Sequence, residues 1–559
     1  MKSREEREYE DRVKRRVLIL RDLMKEGKIV YDKGMQDVLE ESFSKARFDK
    51  DGNPDLSTID GVIRSLALMA EHFDHKEKAK GAISLHEIQE HYFKIFEINF
   101  GSIYDMMIEA KSTPHNIAEF FAYEQPNDDI ERSIEPLIHC INEFWKEVAE
   151  AGYYHLQDQY NTVKAVFGGD LFPSHCENIA SKCGIYTDTI ILPCPIIRSR
   201  HMFKVWDKNQ RVYYILKHAL NILQYKTLAL ADFENPIVVI LADKEMMHEH
   251  YFNQVYELGE SDSLYHASKV FGRNFSSFDE LIKFGEELNT IEKVIKEIKD
   301  PSRVLFDTDI KDSLAQQIEN QTKGLAGKTF NTNNPGLIVS LVGLGRMSIS
   351  NELLLKSMNI GGGIPLIDAP TSWQYFKWKL EYDGERTLSE SVVTNSHILQ
   401  ALNSLKNTNL RWIGRIPPEG LIEIRKSGAI NDIRNILSDS IDKIALASYL
   451  DYASTTARVY DNLNRAFTDH DKAIKKLVAK KWKIAGKDFG SWLVMGTFEI
   501  ASAYTGTPLY GVSTAILSQL FDAPKLKDLA KSVKSIKEIE KEKQNMMKSP
   551  LGMMIQYRE

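Results

Sequence analysis

Tyr186-Thr187-Asp188-Thr189-Ile190-Ile191-Leu192 is the stretch whose reading decides the fold. It is short and β-branched, too short for a helix and rich in residues that suit a pleated surface, so it reads as a strand. Arg211 to Leu230 follows as an amphipathic helix, with Val212, Ile215, Leu216, Ala219 and Leu223 on one side. Pro236 then introduces a second apolar strand, Ile237 to Ala242. Strand, helix and strand in that order imply an α/β unit buried on both sheet faces.

Working outward, Phe167-Gly168-Gly169-Asp170 forms a glycine-rich turn, followed by a short helix capped by Ser174 and Glu177 and stopped by Gly184. Everything before it, to about Val166, carries helical patterning. Ser84 and Glu87 form a capping box that starts one of those helices at Leu85. Downstream, Phe275 to Lys299 is helical, Arg303 to Phe306 is a short strand, and Leu337 to Val342 is an apolar run read as another. From Pro417 the pattern is helical again, with Ile430 to Leu450 as one long stretch. The expected class is mainly α, α+β overall, divided into a helical domain (1–166), an α/β portion with a helical insert (167–330), a mixed α/β segment (331–416) and a helical C-terminal domain (417–559).

A net charge of −7 argues against nucleic acid as a whole-chain partner. Four cysteines in 559 residues do not make a disulfide scaffold, and the charged N-terminus does not read as a signal peptide, so a cytoplasmic location is expected.

Several motifs approach a known chemistry without completing it. Asp49-Lys50-Asp51-Gly52-Asn53 opens like a calcium loop, but Pro54 stands where a flexible turn is needed and Asp60 is too short for the closing bidentate ligand, so a polar interhelical loop is the better reading. His86 and His91 flank an acidic helical stretch but lie five apart, about 140° around a helix, so they do not share a zinc ion. His175, Cys176, Cys183 and Cys194 lack a close pair and suit burial; no metal site is expected. Gly324 to Thr329 ends like a phosphate loop, but helical patterning precedes it where a strand is required.

Gly343-Leu344-Gly345 is the stronger glycine signal. It follows the Leu337 to Val342 run, and Asp368 stands 25 residues beyond Gly343, the order in which a dinucleotide fold places its pyrophosphate turn and ribose-binding acid. Ser348 replaces the third glycine. The other candidates are aspartates at expected strand ends, Asp170, Asp188 and Asp243, with Asp307 and Asp309 nearby; converging carboxylates could serve acid–base or metal-assisted hydrolysis.

Phe489 to Phe521 contains Glu499 as its only charge and divides at Gly506-Thr507-Pro508 into two arms, each short of the ~20 residues that span a bilayer as a helix. A packed helical hairpin is expected, followed by a Lys/Glu-rich helix to Lys548. Basic flanks give it the chemistry of a protein-interaction or effector element, with a protein partner or an anionic membrane surface. A nucleotide-binding or metal-dependent hydrolase built on the aspartates is the alternative, and no cofactor is specified.

Overall fold

The computed structural model describes residues 3–557 apart from 30–32, 127, 160–161, 176–177, 248, 325, 328–329, 387–409, 434–467, 470, 481–482 and 503–550. The chain is mainly helical with one substantial sheet, the α+β class expected from its patterning. It divides into two compact units. Within one, the helices Arg4–Lys25 and Gly61–Ala82 pack through Val13, Val17, Leu20, Ile63 and Ala67. The calcium-like loop belongs to this unit and satisfies its own oxygens. Asp49 accepts the amides of Asp51 and Asn53, at 2.9 and 2.8 Å, and Asp60 caps the Gly61–Ala82 helix.

The other unit contains the sheet. Its strands are β1 (Lys164–Phe167), β2 (Thr189–Pro193), β3 (Val238–Leu241), β4 (Ile364–Leu366), β5 (Leu410–Ile413), β8 (Leu493–Ser502) and β9 (Leu551–Tyr557). A separate hairpin is made by β6 (Lys483–Ile484) and β7 (Lys487–Asp488). The main sheet runs β3-β2-β1-β4-β9-β8-β5. Every pairing from β3 to β9 is parallel, and β8 is antiparallel to both β9 and β5. The α/β unit read around Tyr186 is therefore present, with Ile190, Ile191, Leu192, Val238, Val239 and Ile240 all buried.

Four local expectations are corrected. Lys164–Phe167 is a strand although the patterning before it is helical; it is short, and its lysine hides it. Pro301–Arg303 is a 3₁₀ turn with no strand after it, because Val304 and Leu305 pack against helices. Leu337 to Val342 lies inside the Pro335–Asn359 helix, where Asn334 caps the free amides of Gly336 and Leu337. The first arm of the supposed helical hairpin is β8, its backbone paired with β5 on one side and β9 on the other. The central turn, the second arm, the Lys/Glu-rich segment to Lys548 and most of the Ile430 to Leu450 pattern lie outside the described residues.

Among the described residues, Pro335–Asn359 is the one helix long and apolar enough to cross a membrane, yet its neighbours here are helices and the sheet. Small residues let them approach closely: a Cβ on Gly259 would lie 2.0 Å from the Ser348 hydroxyl, and one on Gly343 2.9 Å from the His266 ring. The helix also buries charge. Lys356 pairs with Asp243 at the end of β3, while Arg198 reaches Asp243 at 3.2 Å and Glu352 at 2.8 Å. All four side chains are at most 5% exposed. Burial, reinforced by the Asp243 carboxylate, pushes Glu352 up to about 7. From the residue just before Glu352, Asn351 donates to Asp262, which also receives Lys379 and Arg386. Burial alone would raise the Asp262 pKa; the two cations outweigh it and hold the carboxyl below its ordinary range.

At the amino end of the interior strand β1, the buried Lys164 ammonium donates to the carbonyls of Leu156 (2.8 Å) and Ile360 (2.7 Å). These carbonyls lie at the C-terminal ends of two helices, where the backbone dipole favours a cation. Burial nevertheless lowers its pKa to about 8.

Two outcomes follow for stability. Lys356→Met leaves Asp243 short of a counter-charge in a dry site and is expected to cost about 3–5 kcal/mol in denaturant unfolding. Lys164 sheds its proton in the folded chain before it does so unfolded, so the unfolded state holds more protons between the two pKa values. Its contribution to stability should therefore rise from about pH 8 to the ordinary lysine value of 10.5. The difference between wild type and Lys164→Met, measured across that range, checks the sign.

Candidate functional site

Strands β1, β2 and β3 step outward in one direction, and β4 lies on the other side of β1. The order therefore reverses between β1 and β4, and in open parallel sheets the crevice beyond the carboxyl ends of such a pair is where ligands bind. The glycine-rich turn Gly168-Gly169-Asp170 leaves β1 there, and Asp368 leaves β4 beside it. Gly168 extends the pairing, its amide donating to the Leu366 carbonyl at 3.0 Å.

Both glycines are required by what packs on them. Gly169 has φ +85°, and a Cβ there would lie 2.9 Å from Cβ of Ser372; one on Gly168 would lie 2.7 Å from Leu353. The absence of side chains lets the Pro370–Arg386 helix seat its first turn on the β1 exit, where the Ser372 hydroxyl donates to the Gly169 carbonyl. Arg346 donates from Nη1 to the same hydroxyl at 2.8 Å.

The loop after Asp170 is held at two points. Asn221 donates to the Pro173 carbonyl at 2.9 Å, and the Ser174 amide donates to Asp368 Oδ2 at 3.1 Å. Asp170 is exposed. Asp368 is half-buried, and its pKa is raised, by burial first and then by the neighbouring Asp170 carboxylate. Thr371, at the start of the same helix, receives the Thr308 amide at 3.0 Å and donates to Asp307 at 3.3 Å. The carboxyl ends of β1 and β4 thus carry Asp170 and Asp368, near enough for one charge to act on the other, with the Arg346 guanidinium held at Ser372.

The aspartates named from sequence are distributed unevenly. Asp170 and Asp368 adjoin, and Asp307 approaches the same helix start through Thr371. Asp243, beyond β3, is committed to Arg198 and Lys356. Asp188 precedes β2, at the amino ends of the strands, where it accepts the Val163 amide at 2.6 Å. Asp170, Asp188 and Asp243 therefore do not converge. Among the described residues no group of three or more His, Cys, Asp or Glu is arranged to hold a metal ion.

Gly343 and Gly345 lie mid-helix, so they form no strand–turn–helix loop and the pyrophosphate role inferred for them is withdrawn. Asp368 keeps a place at the switch point, with a different glycine pair. Arg346 and Ser372 were not identified from sequence. Arg346 directly follows Gly345, and its being the only charge between Pro335 and Asn351 is the available signal. No family model, curated protein or solved structure matches this chain.

The two kinds of glycine respond oppositely to a methyl group. Gly169→Ala forces a left-handed residue against Ser372 and is expected to cost at least about 1–3 kcal/mol. Gly345 is exposed with nothing within 4 Å of an added Cβ, so Gly345→Ala should stabilise the helix by about 0.5–1 kcal/mol. Chemical denaturation of the two variants checks the contrast.

Proposed function

We propose that the central α/β portion binds a nucleoside-bearing small molecule at the β1–β4 switch point, with Asp170 and Asp368 accepting hydrogen bonds from its sugar hydroxyls. The observation that carries this reading is the strand order, which places a glycine-rich turn and two adjoining carboxylates on either side of the reversal. Carboxylates are acceptors of the kind that select vicinal hydroxyls. The step from sheet topology to nucleosides is one of fold-level analogy, supported by the side chains present.

Thermal denaturation with a panel of nucleosides and nucleotides tests the reading. A ligand at about a hundred times its Kd adds about 2.7 kcal/mol of stability, enough to raise Tm by degrees. At least one nucleoside should do so, and Asp170→Asn and Asp368→Asn should each weaken it about tenfold or more. An unchanged Tm across the panel at millimolar concentration, or a shift that both variants retain in full, would overturn it.

A further inference from the structure

The guanidinium of Arg346 reaches the switch point from the helix that crosses beneath it. Leu353 of that helix packs on Gly168, and Arg346 lies seven residues earlier, about 10 Å farther along the axis and beyond the end of β1. There it is half-buried and spends one hydrogen bond on Ser372. Among the described residues it forms no ion pair. That distinguishes it from the other arginines of this unit that lie near buried charge: Arg198 is matched by Asp243 and Glu352, Arg303 by Asp300 and Glu381, and Arg386 by Asp262 and Asp383. A guanidinium offers five donors in a rigid fork suited to an oxyanion, and leaving such a cation half-desolvated without a partner is costly.

Its position relative to the carboxylates is set by one hydroxyl. Ser372 bonds both Arg346 and the Gly169 carbonyl, so the guanidinium is tied through one hydroxyl to the backbone that continues into Asp170. Asp368 lies four residues before Ser372 on the same segment. Asp368 already has the Lys182 ammonium acting on it, whereas no carboxylate pairs with Arg346 among the described residues, so an oxyanion is drawn toward Arg346. A molecule that satisfies the whole crevice therefore presents hydroxyls at one end and negative charge at the other.

Resting on the reading of the switch point as the ligand site, we infer that the ligand carries an oxyanion, a phosphate or a carboxylate, and that Arg346 is the residue that grips it. Ser372 is a positioning residue, fixing the guanidinium against the β1 exit. Arg346→Lys keeps the charge and loses the fork, so it should recover only part of the binding.

The experiment uses the full chain and compares adenosine, adenosine 5′-monophosphate, adenosine 5′-carboxylate and inorganic pyrophosphate by calorimetry, on wild type, Arg346→Gln and Arg346→Lys. Wild type should bind at least one of the anionic probes at least tenfold more tightly than adenosine, and in Arg346→Gln the ratio of anionic-probe to adenosine affinity should fall to near one. The phosphate and carboxylate arms identify which oxyanion is preferred. Should Arg346→Gln fail to fold, phenylglyoxal labelling of wild type followed by peptide mass spectrometry gives the same answer: pyrophosphate should protect Arg346 several-fold. Adenosine binding as tightly as its anionic derivatives, or Arg346 labelling unaffected by pyrophosphate or absent from the start, would overturn the inference while leaving the nucleoside reading standing. Pyrophosphate binding through Arg346 with no response to any adenosine probe would support the oxyanion site and count against the nucleoside.

Discussion

Burial of charge along one apolar helix is the constraint on which the larger unit depends. Pro335–Asn359 contributes Leu353 to the β1 exit and Glu352 and Lys356 to the charges beyond β3, and it sends Asn351 toward Asp262. Apolar packing alone would tolerate sliding, because one leucine face resembles the next. Oppositely charged groups without water do not, since a shift of one residue would leave an ion unpaired at a cost of several kcal/mol. The ionic contacts therefore act as a register for the helix. With the register set, Arg346 is carried to the switch point and Gly343 to the His266 ring.

Sequence reasoning succeeded where a signal is local. Thr189 to Leu192 and Val238 to Leu241 are buried on both faces and have no competing period, so their composition alone names them. The Leu85 helix start was equally local, and the structure begins that helix at the same residue. It failed where a short apolar run fits two states. Leu337 to Val342 was assigned to a strand because glycines followed it, whereas the Asn334 cap and Pro335 at the first turn make it the start of a helix. Phe489 to Ser502 carries Glu499 as its only charge, a pattern that a strand with neighbours on both sides shares with a buried helix. The β9 segment drew no assignment.

The site was partly legible for the same reason. Gly168-Gly169-Asp170 stands out in the chain as a turn, and Asp368 was noted for its spacing, although from the wrong glycines. What joins them is pairing between β1 and β4, which are separated by the whole helical insert, and no local pattern reports such a contact. Arg346 and Ser372 meet for the same non-local reason. Asp188 and Asp243 looked equivalent to Asp170 in sequence, and only strand direction separates an acid at the entry edge of the sheet from one at the exit edge.

The place of β9 carries a consequence for synthesis. It is the latest sheet strand in the chain, yet it sits in the interior, with β4 on one side and β8 on the other. Until its residues leave the ribosome, the parallel and antiparallel halves have no shared hydrogen bonds, and each presents an open edge able to pair with another chain. At ordinary elongation rates the interval between β8, which completes the antiparallel half, and β9 lasts a few seconds, up to about ten. During that time the nascent protein is two incomplete sheets, and its final strand works as the keystone that makes them one.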